Sequence, residues 1–444
     1  MKKFLAVVLI IAMLLSALLV SCDQKEDPDE IFGTQETKKK THATVASTKA
    51  PVQVESPHLV PEILEENTKQ VISRLTEPVI RPITEDVDIA LNYQGWPTVC
   101  AGDGDTLYAA SSVRLAHIDP FGCIGFFKSE DGGETWSDVR IIADTATDDR
   151  DAGVVYLGKG KVLVSWFTHS ISNYLRGGAY YEEWAEHPNI TEAHHDALYK
   201  KIGKASAYET QSMSYVMLSN DYGETWESPV QVPVSAPHGP TLMQDGKTLL
   251  YFGDAHNPEA AGYGELDRNK FHVYKSLDDG RSWVRTASLS LPTVSGAFYD
   301  EPHILQLQDG SFIAGIRGQD SNGLYCFIAR SQDGRKWSNF QKLEGVNGTP
   351  PHFFQTKEGI LVISYSYRTY PCGARGKLSY DGGVTWSDEI VFSESDTPKN
   401  GDLGYASTTQ LPDGTMITAY YQKKEEDPFC SFLFTRWRLV EDED

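Results

Sequence analysis

Five copies of one short phrase constrain this chain more than any other feature. It reads SEDGGETW at Ser129–Trp136, SNDYGETW at Ser219–Trp226, SLDDGRSW at Ser276–Trp283 and SYDGGVTW at Ser379–Trp386, with a shortened SQDGRKW at Ser331–Trp337. Ser and Asp side chains bond neighbouring backbone N–H groups, Gly takes the positive φ of a tight turn, and Trp folds back as an apolar anchor. One copy would mark a hairpin; five mark a repeated architecture. A second repeat counts the units. Hydrophobic strand, glycine turn and hydrophobic strand recur around Gly104, Gly160, Gly246, Gly310, Gly359 and Gly414, at intervals of 56, 86, 64, 49 and 55 residues. The strands flanking these turns, such as Thr106–Arg114 and Ile360–Arg368, are rich in the Val, Ile, Leu, Tyr and Phe of buried strands.

A further strand after each box, for instance Pro229–Val234 and Glu389–Phe392, gives four strands per unit. The expected fold is all-β: a six-bladed propeller of four-stranded antiparallel blades, closed by N- and C-terminal strands so that only short edges remain. The last unit ends in Phe429–Leu439 and lacks a fourth strand, which Pro78–Asn92 is expected to supply. The one long interval is explained by a polar, partly helical insertion near 170–211.

The N-terminus lies outside this repeat. Met1-Lys2-Lys3 and the apolar run Phe4–Val20 predict a secretory signal over 1–21, too short for a comfortable membrane span. Leu18-Leu19-Val20-Ser21-Cys22 resembles a bacterial lipobox, which makes Cys22 the lipidated residue. Residues 22–66, rich in Lys, Thr, Glu and Pro without periodicity, then read as a flexible tether to a propeller over 67–444. The expected location is the bacterial envelope, on the outer membrane, with contact to the bilayer through the lipid alone. The net charge of −22 excludes a nucleic-acid partner and any long-range steering of anions. An anionic ligand must therefore be held by local arginines. None of the six cysteines has metal-ligand spacing, and neither metal nor cofactor is implied. A monomer is expected.

Propellers carry their sites on one mouth of the channel, where inner strands start and second strands end. The inner-strand starts are Gly95/Trp96, Asp151, His238, Glu301, His352 and Tyr405; the second strands end at Arg114, His169, Asp254 to His256, Arg317, Arg368 and Tyr421. Arginines, histidines, carboxylates and tyrosines converging there suit an acidic sugar, with cations for its carboxylate and carboxyl groups for proton transfer.

At these residues the chain resembles the sialidase (exo-α-neuraminidase) superfamily of Asp-box propellers. The stretch Arg114-Leu-Ala-His-Ile-Asp119 is similar to the loop bearing that family's general acid, which implies Asp119. Glu301 with Arg317 sixteen residues on is similar to its Glu and carboxylate-binding Arg, and Leu403-Gly404-Tyr405-Ala406-Ser407 to its nucleophile segment. The family's third arginine corresponds to Arg375, with Arg368 in competition. Arg114, Trp96, Asp151 and His238 complete the expected substrate-binding set, while His117, His303 and His352 receive no role. The family begins its first blade with Arg-Ile-Pro; here Gly95-Trp96-Pro97 stands instead, so one arginine is missing and a substrate other than N-acetylneuraminic acid is expected.

The resemblance implies an exo-acting glycoside hydrolase that removes a terminal acidic sugar from a glycan with retention, using Tyr405 as nucleophile and Glu301 as its base. Sialidases depart from the usual carboxylate nucleophile in this way. Two other readings stay open: a catalytically silent glycan-binding lipoprotein and a lyase acting on uronate polysaccharide.

Overall fold

The computed structural model describes residues 59–64, 70–73, 79–84, 87–204, 211–257, 259, 261–394, 401–423 and 429–442. The signal segment 1–21, Cys22 and the tether as far as residue 58 lie outside them.

Six antiparallel sheets follow one another along the chain. The first is Tyr93–Ala101, Leu107–Arg114, Cys123–Ser129 and Arg140–Ala143, paired in that order. The second starts at Asp148–Gly158, the fourth at Phe298–Gln306, the fifth at His352–Gln355 and the sixth at Leu403–Gln410. In the third the innermost strand is broken into Val234–Ser235 and Thr241–Leu242. Six apolar clusters hold the ring, each bridging two neighbouring blades. Tyr108 and Phe126 of blade one meet Val164 and Trp166 of blade two. Around the ring, Ile417 and Phe432 of blade six meet Leu107 and Phe127 of blade one. The buried surface thus lies between blades, and a strand must be apolar on both faces to serve two clusters.

Each box turns the chain from the third strand into the fourth. In the first, Ser129 Oγ donates to Asp131 Oδ1 (2.8 Å), and Asp131 accepts from the N–H (2.9 Å) and hydroxyl (2.6 Å) of Thr135. The Gly133 N–H donates back to Ser129 Oγ at 2.8 Å. Gly133 has φ 88°, a left-handed conformation that favours glycine, and a Cβ there would come within 3.3 Å of the Leu107 side chain. The pattern recurs at Asp221, Asp278 and Asp381. In the shortened copy Asp333 takes the N–H groups of Arg335 and Lys336 instead.

The ring closes differently from the expectation. The fourth strand of blade six is Leu59–Ile63, antiparallel to Cys430–Glu441 with Leu59 opposite Glu441 and Ile63 opposite Trp437. Gln70–Ser73 also pairs with that last strand. The propeller therefore begins ahead of the expected boundary at 67. This outermost strand is only half-buried, which weakens its hydrophobic signature, and Pro61 is tolerated on an edge where one N–H would go unused. Pro78–Asn92, expected in that place, instead supplies a separate hairpin, Val79–Thr84 with Val87–Leu91. Its Ile89 and Leu91 are buried in a seventh cluster with Phe121, Trp184 and Leu198. Trp184 and Leu198 belong to the insertion, which is partly helical as anticipated: helices Tyr181–Ala185 and Glu192–Lys204 follow a single 3-10 turn at Ile171–Tyr174. The hairpin and the insertion are thus one packed appendage beside blades one and two.

Candidate active site

One backbone device, used four times, builds the site. At the start of the inner strands of blades one, two, four and six, two residues stand opposite one on the second strand. The pairs are Trp96-Pro97, Asp151-Ala152, Glu301-Pro302 and Tyr405-Ala406. The first residue of each bulge has positive φ: 51° at Trp96, 51° at Asp151, 52° at Glu301 and 58° at Tyr405. A bulge re-aims a side chain that the alternation of a strand would place in an interblade cluster. Left-handed conformations at non-glycine residues cost about 1–3 kcal/mol each. All four of these side chains line one cavity of about 290 Å³.

At its floor the Tyr405 hydroxyl donates to Glu301 Oε1 at 2.5 Å, and Arg317 Nη1 donates to the same oxygen at 2.5 Å. Burial, reinforced by the charges of Glu301 and Asp151, holds the Tyr405 hydroxyl well above the usual phenol range. It is a neutral phenol whose proton already points at a carboxylate. Arg368 lines the same cavity and gives its Nε–H to Leu403 O (3.2 Å). Of the two arginines competing for the third family position, the structure brings Arg368 to the pocket. Arg375 is buried elsewhere, donating to the carbonyls of Ser393, Ala374 and Pro371 and paired with Glu389 and Glu394.

Three more expected site residues lie off the cavity. Asp119 is fully buried, and its carboxylate accepts from the N–H groups of Leu115 (2.8 Å) and Phe121 (2.9 Å), closing its own loop. Arg114, equally buried, pairs with Asp148 and donates to the carbonyls of His117 and Asp149. His238 lies beneath the pocket, its ring 4.9 Å from His352 and 5.9 Å from His303. Burial holds all three histidines well below the usual imidazole range, hence neutral. They stitch neighbouring blades: His303 Nδ1 accepts from Phe353 N–H (3.1 Å), His352 Nδ1 from Thr408 N–H (3.3 Å), and Thr98 Oγ1 lies 3.0 Å from His238 Nδ1.

The cavity also gathers residues the sequence reading gave no role. Arg150 enters from blade two, its guanidinium 4.1 Å from the Trp96 ring centre and 3.4 Å from Asp148. It brings a cation to the first-blade bulge, where the family arginine is missing. The signal was present, since Arg150 immediately precedes an inner-strand start. His117 also lines the wall, its Nδ1 3.1 Å from Asp402 Oδ1, while Tyr93 donates to the same carboxylate at 2.8 Å. Burial pushes Asp402 up, but these hydrogen bonds outweigh it and keep it below the usual carboxylate range. Opposite, the insertion contributes Tyr180, whose ring stacks on His169 at 5.2 Å. Nothing in the polar run of the insertion singles out that tyrosine.

Fold and pocket together define a class. The model of the BNR repeat-like domain matches residues 187–418, and the chain belongs to that family. It is 23% identical over 349 residues to a sialidase of Bacteroides fragilis, covering 71% of this chain and 56% of that protein, so it spans about half the length of that relative. Among solved structures it superposes on a Dyadobacter fermentans protein of unknown function with a TM-score of 0.61 at 19% identity, covering 84% of this chain and 100% of that one. A sialidase of Streptococcus pneumoniae gives 0.58 at 13% identity, covering 84% and 71%. These likenesses agree with the six-bladed propeller and with a divergent place in the sialidase superfamily.

Proposed function

We propose that this protein is an exo-acting glycoside hydrolase that releases a terminal 2-keto acid sugar with retention. The observation that carries the reading is the 2.5 Å hydrogen bond from Tyr405 to Glu301 on the floor of a cavity with arginines around it. A 2-keto acid sugar bears its carboxylate on the anomeric carbon, which would repel an anionic nucleophile; a neutral phenol avoids that repulsion but needs a base. Tyr405 attacks the anomeric carbon and its proton passes to Glu301. Arg317, Arg368 and Arg150 supply the charge-assisted hydrogen bonds that hold the substrate carboxylate, each worth about 1.5–3 kcal/mol. Arg150 offers a physical reason why the absence of an arginine at Gly95 does not exclude sialosides. The apolar segment before Cys22 supports placing the enzyme on the cell envelope through a lipid anchor.

The test is a screen of the purified protein against 4-methylumbelliferyl glycosides of N-acetylneuraminic, uronic and neutral sugars. Release from the keto acid glycoside is expected, with Tyr405→Phe folding normally and retaining under about 1% of the rate, in keeping with the loss of a covalent nucleophile. Wild-type turnover confined to neutral sugars, or a Phe variant of near-normal rate, would overturn the reading.

A further inference from the structure

With Asp119 bound to its own loop, the glycosidic oxygen needs another source for the proton it takes as it leaves; the argument rests on the glycosidase reading above. Four carboxyl groups line the cavity. Glu301 is occupied by Tyr405 and Arg317. Asp300 accepts the Glu301 N–H at 2.8 Å. Asp254 faces His256 at 3.9 Å. Asp151 alone among them has neither a hydrogen bond nor an ion pair within the described residues, although it is only 5% exposed. A carboxyl buried in this way without a partner is costly unless something else meets it. Its backbone is bulged at φ 51°, in the same conformation and at the same inner-strand position as Glu301 and Tyr405.

We propose that Asp151 is the general acid and base of the reaction. In the first step the bond from the anomeric carbon to the leaving sugar breaks and the departing oxygen takes the Asp151 proton, while the bond to Tyr405 forms and the phenol proton goes to Glu301. In the second step Asp151, now a carboxylate, takes a proton from the water that attacks the anomeric carbon, and Tyr405 leaves and recovers its proton from Glu301. One water is consumed and both carboxyls return to their starting state.

The surroundings suit both halves of that cycle. Burial and the charges of Glu301 and Asp148 push the Asp151 carboxyl up, while Arg150 and Arg114 pull it down, leaving it at about 7. Tyr405 and Tyr421 also face it, and both stay neutral phenols, held well above the usual range chiefly by burial. A group poised near neutrality serves as acid and base in turn.

The experiment compares two probes, 4-methylumbelliferyl α-N-acetylneuraminide, whose phenol leaves with little help, and α2,3-sialyllactose, whose sugar hydroxyl needs the proton. Asp151→Asn is expected to lose about 10²–10⁴-fold on sialyllactose and far less on the aryl glycoside, with azide restoring turnover of the latter as a glycosyl azide. Equal losses on both probes, or the selective loss appearing in His117→Ala instead, would overturn the assignment to Asp151. Wild-type protein inert on both probes would overturn the glycosidase reading itself. A substrate-free measurement stands beside these: with ¹³C-labelled aspartate, Asp149 and Asp151 should both titrate near neutrality in the wild type, and Asp151→Asn should remove one of those two resonances and leave the other. If the resonance lost in that variant titrates in the ordinary carboxylate range, the assignment is wrong.

Discussion

The aspartates of the outer turns and those of the pocket stand at opposite ends of the same blades, and their environments have driven them in opposite directions. Asp131 and Asp221 are held at about 2, foremost by hydrogen bonds from the hydroxyl and N–H of the Thr four residues on. Asp151 is pushed by burial to about 7, and burial with the charges of Asp254 and Glu301 likewise holds Asp300 well above the usual carboxylate range. The outer carboxylates remain in water and collect donors; the inner ones lose water and keep company with other acids. No residue of any box lines the cavity. One end of the blade is organised for stability and the other for proton transfer, which is where perturbed carboxyls gather in enzymes.

The largest expected effect that tests this division is in a box. Trp283 is 4% exposed, donates its indole N–H to Gly280 O at 2.9 Å and packs in the cluster between blades two and three. Trp283→Ala should cost about 3–5 kcal/mol of unfolding free energy, read by chemical denaturation. The rate per folded molecule should stay at the wild-type value. Tyr405→Phe should do the reverse. A Trp283→Ala protein of full stability but lower kcat would show that the boxes communicate with the pocket and erase the distinction.

The same division explains what the sequence could disclose. A box is local: its bonds run from Ser129 to Gly133 and from Asp131 to Thr135, so the seven residues Ser129–Thr135 contain them all. The inner-strand starts were nearly as legible, because the repeat locates them. Glu301 and Tyr405, 104 residues apart, meet as the blade count requires. Loop side chains were not legible in this way. Asp119 and Arg114 have the right types in the right segment, yet whether a carboxylate faces a cavity or caps its own N–H groups depends on a turn the motif does not encode. Arg375 sits in the third strand of blade five, where Glu389 and Glu394 claim it. The closing strand Leu59–Ile63 was hidden by its half-exposure, and Tyr180 by an insertion without repeat.

A smaller effect concerns stability at the pocket. Asp151 has a folded value raised to about 7 against about 3.9 for a free aspartate. The folded state therefore binds its proton more tightly than the unfolded chain does. That contribution to stability is complete below about 4 and is lost as pH rises through 7. Asp151→Asn, which cannot ionise, should gain on the wild type in melting temperature between pH 5 and pH 8 while losing activity. A difference that stays flat across that interval would mean the carboxyl is not buried in its neutral form.

The smallest effect has the opposite sign and belongs to the boxes. Asp221 is half-buried in its surface turn, with a folded value of about 2, lowered by the Thr225 hydroxyl (2.5 Å) and N–H (2.8 Å) and by Ser219. A lowered value means that the unfolded chain binds the proton more readily, so the stabilisation is complete above about 4 and disappears as pH falls through 2. Asp221→Asn keeps one acceptor oxygen but no charge. Its melting temperature should lie slightly below that of the wild type at pH 6 and converge on it towards pH 2. Because the turn is in water, the gap should be modest; three hydrogen bonds to one carboxylate make it measurable, and the four-fold repetition of the motif multiplies it. A combined Asp131→Asn, Asp221→Asn, Asp278→Asn, Asp381→Asn protein should therefore widen the gap at pH 6 without moving the acid end. If the gap instead grew towards low pH, the boxes would be acting through something other than ionised aspartate. The contrast with the pocket would then be one of position alone, not of charge.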